Sequence, residues 1–393
     1  MKKFLALLLA AVMTLALVAC GGKDNGDANN DGKTTEKVAM ITDYGDITDQ
    51  SFNQTTYEAC KAYCEANGVD FNYYKPSGDS TAERVAMIEK AVEEGYTVIV
   101  MPGYAFGGAI KEAQDTYPNV KFVALDVSEY DITSEFYKKD ASGNATDELL
   151  SADKQPHVSK NVYSAVYKEE LCGYMAGYAA VKMGYKSLGF LGGMAVPAVQ
   201  RYGYGFVQGV DAAAKEMGLS DVKVNYVYGG QFSGDADITA AMDTWYKGGT
   251  KVVFACGGGI YTSAVEAALK SKAYVVGVDV DQHYIGEKAV AENGYNPFVT
   301  SAMKGLKEAT VSALGKFFDG TWADIGGKVE TLNLQAGDYV GLPTAEASWG
   351  FKTFTMDEYN KLIEDIRSGA LTVSAEIADH PAVDASVTVN YID

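Results

Sequence analysis

Residues 97–125 read TVIVMPGYAFGGAIKEAQDTYPNVKFVAL. The runs Thr97 to Met101 and Lys121 to Leu125 are short and mostly apolar, and a helical pattern over Gly107 to Thr116 joins them. A strand without polar alternation is buried on both faces, and two such strands linked through a helix lie parallel. The rhythm continues outward in both directions. Lys37 to Thr42 precedes a helix over Asn53 to Ala66, and Val69 to Tyr74 precedes one over Ser80 to Glu94. It begins again with Asn161 to Tyr167 and a helix over Glu169 to Met183, followed by strands at Ser187 to Leu191, Val222 to Tyr228, Lys251 to Ala255 and Tyr274 to Val280. The expected class is α/β, with two doubly wound parallel sheets of similar size whose ligands sit outside the carboxyl ends of the strands.

Two segments break the pattern. Ser128 to Lys160 is long, charged and aperiodic, and is expected to be a surface insertion. Ala370 to Asp393 has strand-like stretches for which the sequence offers no pairing partner. Ahead of the first strand, Met1-Lys2-Lys3 is basic, Phe4 to Val18 is apolar, and Leu17-Val18-Ala19-Cys20 fits a bacterial lipobox. The apolar run is shorter than the ~20 residues a spanning helix needs. We therefore expect a signal peptide over 1–19, cleaved before a lipidated Cys20, and a flexible stalk over 20–37 that is too polar to fold. The acyl chains on Cys20 would hold the protein on the extracytoplasmic face of the cell membrane.

The formal charge is −19, and it becomes more negative when Lys2 and Lys3 leave with the leader. That balance argues against nucleic acid and against electrostatic docking on anionic lipid. Beyond Cys20 the thiols are Cys60, Cys64, Cys172 and Cys256, expected to be buried and reduced. Cys60 and Cys64 lie one helical turn apart, where a bridge would strain the helix. His157, His283 and His380 are scattered, so no metal site and no cofactor is expected.

Polar residues collect at the strand ends. Asp43 follows the first strand, with Ser51-Phe52-Asn53 opening the next helix, and Asp126 follows Leu125. In the second half Gly229-Gly230-Gln231-Phe232 follows one strand, Cys256-Gly257-Gly258-Gly259 another, and Asp279 and Asp281 a third. Such a rim suits a small, uncharged, hydroxyl-rich ring compound. Carboxylates accept from a vicinal diol, aromatic faces sandwich a flat ring, and glycine lets backbone amides come close. Lys304 would partly compensate the carboxylates.

Five collinear motifs carry a family resemblance. They are Thr42 to Gln54 (TDYGDITDQSFNQ), Asn161 to Gly177 (NVYSAVYKEELCGYMAG), Gly189 to Met194 (GFLGGM), Gly277 to Gln282 (GVDVDQ) and Thr300 to Lys304 (TSAMK). Over about Val38 to Val340 the chain resembles the basic membrane protein family, lipoproteins that bind purine nucleosides for ABC transporters. The resemblance implies a type I periplasmic-binding-protein fold: a lobe of 38–167 plus about 300–320, a second of 168–299 plus about 321–393, and a hinge of three crossovers. It implies stacking by Phe52 and Phe232, and polar contacts from Asp43, Asp126, Gly257, Gly258, Asp279 and Lys304, with Tyr44 and Asn53 beside them. Asp279 and Lys304 would hold the ribose hydroxyls, while Asp126, with Asp43, would read the base or the remaining hydroxyl. Tyr44 stands where many relatives carry Gly or Asn, so the choice among adenosine, guanosine and inosine stays open. The implied partners are the permease and ATPase subunits of an importer.

The same residues also offer decoys. Ser301-x-x-Lys304 and Ser51-x-Asn53 mimic a serine-nucleophile pattern, but no Lys-Thr-Gly follows. Gly203-x-Gly205-x-x-x-Gly209 lies in a helical stretch with no strand before it, and Gly173-x-x-x-Gly177 lies in a helix with charged residues, which suits close helix packing. No Walker sequence is present. The alternative to nucleoside transport is a surface receptor or adhesin of the same fold, or a binding protein for a sugar, an amino acid or a signalling molecule.

Overall fold

The computed structural model describes residues 35–43 and 45–392. The expected signal peptide, Cys20, the stalk up to residue 34, and Tyr44 lie outside the described residues.

The first half runs β1 (Lys37–Ile41), α1 (Phe52–Asn67), β2 (Asp70–Tyr74), α2 (Thr81–Glu93), β3 (Val98–Pro102), α3 (Gly107–Thr116) and β4 (Lys121–Leu125). The insertion follows, with a short α4 (Glu129–Thr133) and a hairpin of β5 (Tyr137–Lys139) and β6 (Ala145–Leu149) that pairs only with itself, and β7 (Val162–Tyr167) resumes the sheet. The second half runs α5 (Glu169–Lys182), β8 (Ser187–Gly192), α6 (Pro197–Glu216), β9 (Val222–Tyr228), α7 (Ala236–Lys247), β10 (Val252–Cys256), α8 (Tyr261–Ser271), β11 (Tyr274–Asp279), α9 (His283–Asn293) and β12 (Phe298–Lys304). The tail supplies α10 (Leu306–Phe318), β13 (Lys328–Leu332), β14 (Val340–Gly341), α11 (Met356–Ser368) and β15 (Val387–Ile392).

The first sheet has the order β13-β7-β4-β3-β1-β2 and is parallel throughout. The second has the order β14-β12-β11-β10-β8-β9-β15, parallel except for β14. Strands β3 and β10, near the middle, are buried at every residue, as strands covered on both faces must be. In each sheet the strand order reverses once near the centre, between β1 and β3 and between β8 and β10, and the crevice opens outside those carboxyl ends.

Two expectations change. Residues about 300–320 were assigned to the first lobe, yet β12 stays in the second sheet, because its buried run pairs along β11. The exchange comes later: α10 packs on α1 and β13 joins β7 at the edge of the first sheet, so the tail beyond 320 does not lie wholly in the second lobe. Strand β13 reads KVETL with only Leu332 buried, a pattern too polar to betray an edge strand. The orphan tail segment also finds its place: β15 pairs parallel with β9, closing the far edge of the second sheet.

Helices α5 and α6 pack unusually close. A Cβ on Gly177 would stand 2.2 Å from the Phe206 carbonyl oxygen, and one on Gly209 2.0 Å from that of Tyr174. Gly173, Gly177, Gly205 and Gly209 therefore serve this one contact between helices, while Gly203 faces Tyr226 and Phe190 of the sheet.

Candidate functional site

The rim of the first sheet is built around Asp43. Its Oδ1 accepts from the Gly45 amide and from Asn53 Nδ2, each at 3.0 Å, which joins the end of β1 to the start of α1. Gly103, at φ 125, lets the β3 loop approach: a Cβ there would lie 2.4 Å from Asp43 Oδ2. The turn between Asp43 and α1 is organised by Asp49, which accepts from the amides of Ser51 at 2.9 Å, Asn53 at 2.9 Å and Gln54 at 3.0 Å. Burial pushes the Asp49 carboxyl up to about 6 in spite of those bonds. Phe52, the first residue of α1, is thereby held at the cavity wall.

Lys304, at the end of β12, is the centre of charge. Its ammonium bonds Asp126 and lies 3.6 Å from Asp279 Oδ1 and 3.7 Å from Glu169 Oε1. It also sits over three rings, 4.7 Å from the centroid of Phe52, 5.5 Å from Tyr167 and 5.6 Å from Tyr202. All four charged side chains are nearly inaccessible to solvent. Burial opposes the charge on Lys304, but Asp126, Asp279 and Glu169 outweigh it and hold the ammonium firmly protonated. Asp126 is pushed up to about 7, chiefly by burial, with Lys304 opposing the rise and Glu169 and Asp279 adding to it. One of its oxygens, Oδ1, has no hydrogen-bond partner.

Asp126 and Asp279 share a backbone feature. Both are left-handed, at φ 60 and φ 67, and both turn the chain at the end of a buried strand. The Asp279 carboxylate accepts from Ser51 Oγ at 2.5 Å and from the Tyr202 hydroxyl at 3.4 Å. On the second sheet, Gly257 at φ 148 and Gly258 at φ 50 form the turn after β10 that seats Phe232. A Cβ on Gly257 would stand 3.0 Å from the Phe232 ring, and the Gly259 amide bonds the Phe232 carbonyl at 2.9 Å.

These residues enclose a cavity of about 710 Å³. Asp43, Phe52, Asn53 and Asp126 reach it from the first sheet and its helices, and Phe232, Gly257, Gly258, Asp279 and Lys304 from the second. Asp281 does not border it: that carboxylate accepts from the His283 amide at 3.1 Å and from the Ser348 hydroxyl, which makes it a turn residue. Ser301, half of the nucleophile mimic, accepts from the Gln282 amide at 3.0 Å and is fully buried. The four described thiols are free and buried, and Cys256 touches the cavity. Among the described residues no cluster of His, Cys, Asp or Glu could hold a metal ion.

Sequence reasoning missed Glu169, Glu170, Arg201, Tyr167 and Tyr202. Arg201 donates from Nε to Glu169 Oε2 at 2.7 Å, so that buried side chain is shared between Arg201 and Lys304. Glu170 borders the cavity, its Oε2 lacks a partner, and burial with the neighbouring Glu169 pushes it up to about 7. The available signal was two adjacent carboxylates opening a helix that is otherwise almost entirely buried.

Comparison with known proteins adds the lineage. The Bmp family model, described as ABC transporter substrate-binding protein PnrA-like, matches residues 36–377. The chain is 27% identical over 391 residues to the ABC transporter nucleoside-binding protein BmpA of Lactococcus lactis subsp. cremoris, covering 95% of this chain and 99% of that one. It is 26% identical over 371 residues to basic membrane protein B of Borreliella burgdorferi, covering 90% and 93%. A solved ABC transporter solute-binding protein from Aeropyrum pernix superposes with a TM-score of 0.69 at 19% identity, covering 88% of this chain and 94% of that one.

Proposed function

Since the chain belongs to the Bmp family of ABC transporter substrate-binding proteins, which capture a solute and are not enzymes, we propose that its solute is a purine nucleoside held between the two sheets. Its α/β architecture is the type I periplasmic-binding-protein fold. The observation that carries the proposal is the pairing of two aromatic side chains, Phe52 and Phe232, from opposite sides of the cavity with the buried Asp126–Lys304–Asp279 cluster. The rings take the faces of the base. Asp279 and Lys304 take the ribose diol, one accepting and the other donating. Asp126 and Asp43 take the base edge or the remaining hydroxyl, with Asn53 fixing Asp43. The glycine turn at Gly257 and Gly258 brings backbone and Phe232 close to the ligand.

Size and charge agree with this assignment. The cavity of about 710 Å³ lies within the ~300–1,000 Å³ of small-molecule sites. Acidic side chains outnumber basic ones on its wall, which favours a neutral nucleoside over a nucleotide. The Lactococcus relative is itself described as nucleoside-binding. Among the described residues no helix is long and apolar enough to cross a membrane. We propose that a lipid on Cys20 tethers the protein and that it delivers its load to the permease and ATPase of an importer.

Calorimetry of the mature protein with adenosine, guanosine and inosine tests the ligand. Saturable heat is expected for at least one of them, with free ribose far weaker for want of a stacking surface. Failure of all three, with a hexose or an amino acid binding instead, would remove the nucleoside and leave the family intact. Cys20→Ala is expected to abolish partitioning into the detergent phase; unchanged partitioning would remove the anchor.

A further inference from the structure

Ser51 stands at the N-cap of α1, where a serine ordinarily accepts from an amide of the first turn, yet its side chain makes no capping bond. Asp49 does that work instead, holding the amides of Asn53 and Gln54. Relieved of capping, the Ser51 hydroxyl donates to Asp279 Oδ2 at 2.5 Å, reaching from the start of α1 to a residue 228 positions away on the second sheet. Ser51 is fully buried and Asp279 is 5% exposed, so water does not compete for this bond. Its neighbour reinforces the contact. Gln50, left-handed at φ 56, accepts from Gln282 Nε2 on its carbonyl at 3.0 Å and from the Tyr284 hydroxyl on its side chain at 2.7 Å. Gln282 is itself fixed, accepting from the Val278 amide at 3.0 Å on the strand that ends in Asp279.

We propose that Ser51 is a positioning residue for ligand capture: its hydroxyl aims the Asp279 carboxylate at the ligand and makes that aim conditional on closure of the two lobes. The proposal rests on the assignment of Asp279 to the ribose diol. When the lobes part, Ser51 withdraws, and Asp279 keeps only Tyr202 at 3.4 Å and Lys304 at 3.6 Å. The carboxylate is then free to turn onto the ammonium. Closure restores the Ser51 bond and leaves the carboxylate's remaining lone pairs for the sugar hydroxyls. A ligand with a vicinal diol therefore favours the closed form more than one without, and closure favours the diol in equal measure. Alanine at this N-cap leaves α1 intact, because Asp49 supplies the cap.

Stopped-flow binding of inosine and 2′,3′-dideoxyinosine to wild type, Ser51→Ala and Tyr284→Phe, with small-angle scattering of each free protein, provides the test. Ser51→Ala is expected to lose roughly tenfold in affinity for inosine, the order of one charge-assisted hydrogen bond. The loss should fall on the dissociation rate and be nearly absent with the dideoxy ligand. Its free form should scatter as a wider particle. Tyr284→Phe, which removes one contact remote from the carboxylate, should widen the free form without changing the preference for inosine. An equal loss for both ligands would reduce Ser51 to a plain latch and overturn the positioning role. So would an unchanged inosine affinity while Asp279→Ala abolishes the diol preference. If wild type itself ignores the diol, the ribose assignment of Asp279 falls, and unchanged scattering by Ser51→Ala would then overturn the link to closure as well.

Discussion

Three buried carboxyls sit well above their ordinary range: Asp126 and Glu170 at about 7 and Asp49 at about 6, burial being the leading cause in each. The folded protein keeps protons there that the unfolded chain releases near pH ~4, so its stability falls as pH rises from about 4 to about 7. The unfolding midpoint of the ligand-free protein in urea should therefore be lower near pH 8 than near pH 5. Glu170 offers the sharpest single test, because its Oε2 has no hydrogen-bond partner to lose. Glu170→Gln should leave stability almost unchanged near pH 5 and add ~1–3 kcal/mol near pH 8, the cost of a buried polar group left unpaired. An equal effect at both pH values would mean that Glu170 is ionised throughout. Asp126→Asn near pH 8 should act in the opposite direction, since it strips Lys304 of its closest partner inside a buried cluster.

At the scale of elements, the contact between α5 and α6 is the least forgiving. Their glycines let backbone meet backbone, and Gly209→Ala would drive a methyl into the Tyr174 carbonyl with no flexible side chain to yield. A loss of ~3 kcal/mol is expected, at the upper end of ordinary overpacking, with the helices forced apart near Glu169 and Arg201. A loss below ~1 kcal/mol in urea unfolding would show that the helices can separate freely. The same pair explains what the sequence could reveal. Strand ends are legible because apolar runs such as Val98 to Met101 can only be strands buried on both faces, and in this class of fold the ligand follows from the strand ends. Asp43, Asp126 and Asp279 are read as rim residues in that way, whereas the role of Lys304 comes with the motif Thr300 to Lys304. Tyr202 and Arg201 were not, because they reach the site only through the crossing of α6 over α5. Asp281 was read with Asp279, since nothing in Asp-Val-Asp marks the left-handed turn that sends one carboxylate inward and the other to Ser348. Strands β13 and β15 were hidden for a related reason: an edge strand needs little apolar pattern when its partner supplies the burial.

Among the described residues the two large sheets have a largely shared interior. One hydrophobic cluster runs from Val38, Val100 and Leu125 of the first sheet, through Tyr167 and Leu306 at the crossings, to Phe190, Val224 and Phe254 of the second. The chain passes between the sheets after β7, after β12 and after β13, so neither half is a continuous piece that could unfold and leave the other whole. Unfolding must therefore engage both sheets at once. A single calorimetric transition is therefore expected for the ligand-free mature protein, with equal calorimetric and van't Hoff enthalpies. A saturating purine nucleoside should raise that one transition without splitting it, adding ~2.7 kcal/mol at a hundredfold excess over Kd. Two resolved transitions, or a nucleoside that raises only part of the heat-capacity trace, would show that the halves fold independently. In that case the continuous cluster, even with the bonds of Gln50 and Ser51 to the second sheet, would couple them too weakly to make one cooperative unit.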